Sequence, residues 1–221
     1  MYVNRIDLFY DNNVLNIFCD ASISKTTGCY GVAAVCMDNI IDTNYRIVSD
    51  TTNNNSELKG LRSAISMSNK YKYNFQTINI FSDSQISVFG LRDYIYKWKF
   101  NPKDGLLYGS SKNPIINQSV FIEAYYMLKE LNKFNINIYH QAGHVDNTVE
   151  SLNKAYNVFL RSNGFAVDLN VIRYISTYNN FVDMSSRDVL RKSKSRLKCY
   201  DPISFKASSN IIWKNILYRY K

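Results

Sequence analysis

Between Val14 and Val48 three apolar runs follow one another so closely that a sheet of neighbouring strands is the natural way to bury them. Val14 to Cys19 ends at Asp20. Tyr30 to Met37 follows the small polar loop Ala21 to Cys29, and Ile40 to Val48 begins after only Asp38 and Asn39. Links this short predict an antiparallel meander.

Beyond the polar stretch Ser49 to Ser56 the period changes. Leu58, Leu61 and Ile65 step at helical spacing, so a helix is expected over Glu57 to Lys70. Thr77 to Phe81 reads as a strand stopping at Ser82 and Asp83, and Ser84 to Lys97 reads as a helix. Asn117 to Phe134 is a further helix by its Phe121, Tyr125, Leu128 and Leu131 stripe, and Ile136 to Tyr139 is a strand. Three strands followed by alternating helix and strand imply an α/β fold with a mixed five-stranded sheet and helices packed on it. With 221 residues, 46% of them hydrophobic, the chain suffices for one domain with extensions.

No stretch approaches the roughly 20 apolar residues of a membrane span, and Met1 to Tyr10 lacks the apolar core of a signal peptide. A cytoplasmic protein is expected. Cys19, Cys29, Cys36 and Cys199 form no CxxC pair and make no zinc site with the two histidines, so free thiols are expected. The net charge of +9 suits a polyanionic partner, and Arg187 to Lys221 concentrates it, with ten Lys or Arg against two Asp. A solvated basic tail accounts for that composition equally well.

Three acids fall at element ends. Asp20 ends the first strand, Glu57 opens the first helix and Asp83 ends the fourth strand. If the first and fourth strands are parallel neighbours, their carboxyl ends meet and three carboxylates crowd together. A hard divalent cation, Mg²⁺ above all, would offset that repulsion. Any one of these acids alone would read as a cap or a solvated loop charge.

These residues resemble the type 1 ribonuclease H family, motif by motif. Asn16-Ile17-Phe18-Cys19-Asp20-Ala21-Ser22 looks like its first strand, with Ala21 where the family usually has Gly. Thr51-Thr52-Asn53-Asn54-Asn55-Ser56-Glu57-Leu58 resembles its second motif. Phe81-Ser82-Asp83-Ser84-Gln85 resembles its third, and Gly143-His144 its flexible histidine loop. The resemblance implies an RNase H-like fold, a mixed sheet with helices on both faces.

One departure concerns the fourth carboxylate. It usually follows the loop histidine by about ten residues, where this chain has Lys154. Asp146 and Glu150 are nearby, but Tyr178-Asn179-Asn180-Phe181-Val182-Asp183-Met184-Ser185-Ser186-Arg187 resembles the family's closing segment, and Asp183 is chosen over them. That choice makes residues 147–177 an insertion, with an added helix suggested by Leu152, Tyr156 and Phe159. The catalytic domain then spans 1–190, and 191–221 is a basic C-terminal extension, with helical spacing in Ile211, Ile212, Trp213, Ile216 and Leu217.

The family's chemistry, carried onto these positions, is cleavage of the RNA strand of an RNA–DNA hybrid by two Mg²⁺ ions, with Mn²⁺ able to substitute, giving 5′-phosphate and 3′-hydroxyl products. Asp20, Glu57, Asp83 and Asp183 would hold the ions. His144 would support turnover, and His140 reads as structural. Asn54 and Gln85 would lie in the minor groove, where readout is largely indifferent to sequence. Backbone at Asn16, Ala21 and Glu57 would meet 2′-hydroxyls. Trp98 to Pro114 reads as a loop in the place of the family's basic protrusion, where Lys97, Lys99, Lys103 and Lys112 would meet phosphates and Trp98 or Phe100 a deoxyribose. For Trp98 core packing is the alternative. A monomer without an obligate protein partner is expected. The rival classes are a noncatalytic hybrid-binding module and a related-fold DNA nuclease, resolvase-like or integrase-like.

Overall fold

The computed structural model describes residues 8–111 and 113–196, with side chains through Ser193. The expectations for Lys112, for Cys199 and for the C-terminal stretch from 197 on lie outside the described residues.

Among the described residues seven strands and five α-helices follow in order. β1 (Val14–Ser24), β2 (Thr27–Cys36) and β3 (Asn39–Val48) form the antiparallel meander, and α1 (Asn53–Tyr71) leads to β4 (Thr77–Ser82). A helical run then begins with α2 (Gln85–Phe89) and ends at Lys97. A small hairpin follows, β5 (Lys99–Asn101) with β6 (Leu106–Tyr108), then α3 (Gln118–Glu130), β7 (Asn135–His140), α4 (Val149–Asn163) and α5 (Leu169–Arg196). The main sheet has the order β3-β2-β1-β4-β7, antiparallel through β1 and parallel from β1 through β4 to β7. The chain divides into a unit ending at Leu190 and a second beginning at Arg191.

The central strand is buried on both faces, which is why Val14 to Cys19 reads as an apolar run broken only by Asn16 rather than as an alternating one. Leu15, Ile17 and Cys19 pack with Leu58, Leu61 and Ile65 of α1 and with Phe121 and Ala124 of α3. The other face is aromatic. Phe18 stacks on Phe81 at 5.0 Å and on Tyr178 of α5 at 5.5 Å, while Tyr139 meets Phe159 of α4 at 5.9 Å. Helices therefore cover both faces.

Several boundaries differ from expectation, each for a local reason. Ala21 to Cys29 is not a loop: β1 and β2 run on as a ladder to Ser24 and Thr27, closed by a two-residue turn with Lys25 at φ 59°. Their polar residues are satisfied by cross-strand pairing. α1 starts a turn before Glu57, because the Thr52 side chain caps it by accepting from Asn55 N–H. The helix after β4 widens into a π-type turn at Gly90–Tyr94, where Gly90 lies so close to the Phe121 ring that no β-carbon would fit. Trp98 to Pro114 contains the β5–β6 hairpin rather than loop alone. The added helix within 147–177 is α4, but 177 is no boundary, since α5 runs unbroken from Leu169.

Cys19, Cys29 and Cys36 are free thiols, the first two buried. Among the described residues no helix is long and apolar enough to cross a membrane.

Candidate active site

The β1–β4 ladder ends with Cys19 beside Ser82, so Asp20, still paired with Gly31 of β2, and Asp83, the first residue after β4, follow the last paired rung. α1 is drawn tightly onto this end of β1. A β-carbon on Gly60 would stand 3.7 Å from the Asp20 carbonyl and 3.8 Å from Cys19 Cβ, and that approach carries Glu57, one turn earlier, over the same strand end. From the opposite face α5 contributes Asp183. Ser22 Oγ lies 3.5 Å from its Oδ1, tying the helix to β1 two residues beyond Asp20.

The electrostatics register the crowding. Burial above all, then the charges of Asp83 and Asp183, push the Asp20 carboxyl up to about 9. Asp83 is pushed up to about 6 by burial and by Glu57. Ala21 N–H donates to Asp20 Oδ1 at 2.6 Å, but Asp20 Oδ2 is buried with no hydrogen-bond partner.

The other acids have partners. Asn53 Nδ2 donates to Glu57 Oε1. Arg187 Nε donates to Asp183 Oδ1 at 2.8 Å, and His144 Nδ1 stands 3.4 Å from Asp183 Oδ2. Asn53, Arg187 and Ser22 were not singled out in the sequence, although the first two stand at i,i+4 to an acid on a helix, a pattern that could have found them. Among the described residues no three His, Cys, Asp or Glu side chains already stand together as a ligand set. The chemistry of the acids nevertheless suits a hard cation. All four offer only oxygen, one buried oxygen is unsatisfied, and two carboxyls are held above their ordinary ionisation by burial and then by neighbouring carboxylates.

The rival fourth acids are occupied elsewhere. Glu150 accepts from Lys154 Nζ at 2.6 Å on the exposed face of α4, and Asp146 accepts from the Thr148 backbone N–H at 2.9 Å before that helix. His144 is exposed, in a left-handed conformation at φ 52°. Gly143 before it lies against Asp83, where a β-carbon would strike Oδ2. His140 is buried, with Nδ1 2.8 Å from Ser162 Oγ and Nε2 3.2 Å from the Asp83 carbonyl, and burial holds its pKa below the ordinary value.

The candidate substrate residues divide. Asn54 and Gln85 are exposed near Glu57 and Asp83 in sequence, and Lys97 and Lys99 are exposed at the start of the hairpin. Asn16 does not belong with them, because its backbone lies within the sheet, between Val35 of β2 and Asn79 of β4. Its side chain is wholly buried, donating to the Phe9 carbonyl at 2.6 Å and the Tyr174 hydroxyl at 3.0 Å, and accepting from Asn79 at 3.1 Å. Trp98 packs edge-on against Phe121 at 5.0 Å, whereas Phe100 is 64% exposed. The hairpin therefore presents Phe100, not Trp98, to solvent.

The RNase H family model matches residues 12–156, a span that includes Asp20, Glu57, Asp83 and His144 and ends before Asp183. Among solved structures, the chain is similar to RNase H1 of the halophilic archaeon Halobacterium salinarum NRC-1, with 17% identity over 66% of this chain and 93% of that one, at a TM-score of 0.42. It is also similar to LC11-RNase H1, solved in complex with an RNA/DNA hybrid (15% identity, 67% and 95% covered, TM-score 0.43), and to the PFV RNase H domain (12% identity, 70% and 93% covered, TM-score 0.47). No curated protein matches the chain.

Proposed function

Since the chain belongs to the RNase H family, we propose that it hydrolyses the RNA strand of RNA–DNA hybrids at the carboxylates gathered around Asp20. The observation that carries this reading is Asp20 itself, a buried acid with one unsatisfied oxygen, set among the charges of Asp83, Asp183 and Glu57. Such a group is costly unless a cation is to be held there.

Asp20, Glu57, Asp83 and Asp183 would hold two Mg²⁺ ions, or Mn²⁺ in their place. Bound there, the ions would supply a nucleophilic water for in-line attack and neutralise charge on the departing 3′ oxygen, leaving 5′-phosphate and 3′-hydroxyl ends. Arg187 and His144 hold Asp183 from either side. His144, exposed beside Asp183, is placed to accept or return a proton at the edge of the site. Asn54 and Gln85 would bear on the minor groove without choosing among sequences, since that groove carries a degenerate code. Lys97, Lys99 and Phe100 would meet the DNA strand. The basic segment from Arg191 onward would add nonspecific affinity, and shortening the chain there should flatten the salt dependence of hybrid binding. The protein would act as a cytoplasmic monomer.

The test is cleavage of a 5′-labelled RNA–DNA hybrid with Mg²⁺ by the wild type, Asp20→Asn and Asp183→Asn, with duplex RNA and duplex DNA as controls. Hybrid-only cleavage by the wild type and none by either variant is expected. An inert wild type that still binds hybrid would replace the reading with a binding module. Cleavage of duplex DNA would point to a resolvase-like or integrase-like nuclease.

A further inference from the structure

Among the described residues β7 is the last strand of the main sheet, and none pairs with its outer edge at the level of the site. The last residue of α4 supplies what a strand would. Asn163 Oδ1 accepts from the His140 backbone N–H at 3.1 Å, and Asn163 Nδ2 donates to the His140 carbonyl at 2.8 Å. The same amide donates to the Phe159 carbonyl at 3.0 Å and accepts from Arg92 Nη1 at 3.1 Å, which uses the full hydrogen-bonding capacity of the side chain. Arg92 also donates to the Ser162 carbonyl at 2.7 Å. The end of α4 is thus bound to β7 and to the helical run after β4.

The residue so clamped reaches the candidate site. The Asp83 carbonyl can only accept, so His140 Nε2 carries the hydrogen there, and the facing Ser162 hydroxyl donates to Nδ1. The Asp83 carbonyl thus sets the tautomer, and Ser162, donating to Nδ1, supports it and fixes the ring that holds the Asp83 backbone. We propose that the end of α4 positions a cation-binding carboxylate, with Asn163 fixing the His140 backbone, Ser162 fixing its ring by donating to Nδ1, and His140 holding Asp83 in place. This rests on Asp83 being a cation ligand, as in the proposed function. It makes α4 part of the site's support, with Ser162, Asn163 and His140 as positioning residues that touch neither substrate nor cation.

The experiment compares the full chain with Ser162→Ala, His140→Gln and His140→Phe. It reads Mn²⁺ affinity by calorimetry on metal-free protein, the ring ¹⁵N signature of His140, and thermal melting as a check on folding. In the wild type the hydrogen should sit on Nε2. Ser162→Ala should fold and bind Mn²⁺ about tenfold more weakly, the scale on which partners of metal ligands act. His140→Gln keeps a donor of similar reach and should retain most of the affinity, while His140→Phe should lose at least as much as Ser162→Ala. In the His140→Gln background Ser162→Ala should have no further effect, because no Nδ1 remains to accept from the hydroxyl. A folded Ser162→Ala with wild-type Mn²⁺ affinity overturns the proposal, as does equal affinity in His140→Gln and His140→Phe. Should His140→Phe fail to fold, Ser162→Ala and the ¹⁵N signature still decide. A wild type that binds Mn²⁺ but does not cut hybrid would count against the proposed activity alone.

Discussion

Arg187 Nε donates to Asp183 Oδ1 across 2.8 Å, one turn further along the same helix. This acid is 8% exposed at its side chain, held by an arginine on one oxygen and approached by His144 on the other. Asp183 also raises the Asp20 carboxyl by its charge, which neither Glu150 nor Asp146 does. Asp183→Asn should therefore lower hybrid cleavage by roughly 10²–10³-fold or more, the scale of one lost transition-state charge contact. Glu150→Gln should stay near wild type in both rate and melting temperature, since its exposed pair with Lys154 contributes little. Steady-state kinetics and thermal melts on the two variants check this, and the reverse pattern would return the fourth position to Glu150.

The second prediction follows from Asp20. Its folded carboxyl lies near 9 against an ordinary 3.8, mainly through burial and then through Asp83 and Asp183. Between these values the metal-free folded protein holds a proton that the unfolded chain has released. The contribution to stability is thus full at low pH and is lost as pH rises through that window. Two results are expected. Binding of Mg²⁺ at pH 7 should release close to one proton from this group, seen by calorimetry in two buffers of different ionisation enthalpy, and the release should shrink above pH 9. Asp20→Asn should raise the melting temperature of the metal-free protein at neutral pH, by about 2–4 °C for each kcal/mol of relief in a chain of this size. No proton release at pH 7 would mean that Asp20 is already ionised there.

Trp98 and Phe100 stand two residues apart and should behave oppositely. Trp98 packs on Phe121 within the core under α3, so Trp98→Ala should lower stability by about 2–4 kcal/mol, toward the lower end because the ring is only half buried. Phe100 is largely exposed beside Lys99, so Phe100→Ala should leave the melting curve unchanged and raise KM for the hybrid with little effect on kcat. Denaturant titration and hybrid kinetics on the two variants separate these roles.

What the sequence made legible follows from how local each signal is. β1 could be read because a strand segment buried on both faces is mostly apolar, and Asp20 and Asp83 could be placed because each follows such a segment, although β1 itself runs on past Asp20 to Ser24. The first turn of α1 could not, since Asn53 to Ser56 carries no apolar residue and only the Thr52 cap marks its start. Asn16 was expected to offer its backbone to the substrate, because nothing local shows that this backbone has a strand on either side. It is instead one rung of a ladder with Asn79 and Asn137, formed by strands far apart in sequence, and that pairing exists only once the register is set. Asn163 is hidden for the same reason, because its partner His140 is an edge residue whose lack of a neighbouring strand only the folded sheet reveals. Asp183 was reached through its motif rather than its spacing, since α4 and the first turns of α5 separate it from the histidine loop.

Gly143 allows the last prediction. Its α-carbon faces Asp83 so closely that a methyl group would collide with Oδ2, and its backbone is not in the left-handed region where any side chain is strained. Gly143→Ala should then act through the carboxylate and not through the backbone. Asp83 is already pushed up to about 6 by burial and by Glu57, so displacing it removes little that stabilises the fold, and the melting temperature should move by no more than a few degrees. The cost should fall on the cation site, as an increase of about 10–100-fold in the Mg²⁺ concentration needed for half-maximal cleavage, the range seen when the support of a ligand is disturbed. A Mg²⁺ titration of cleavage set beside a thermal melt decides the matter. A large loss of stability would make the contact structural, and wild-type Mg²⁺ dependence would show that Asp83 can yield to the methyl group without leaving its place.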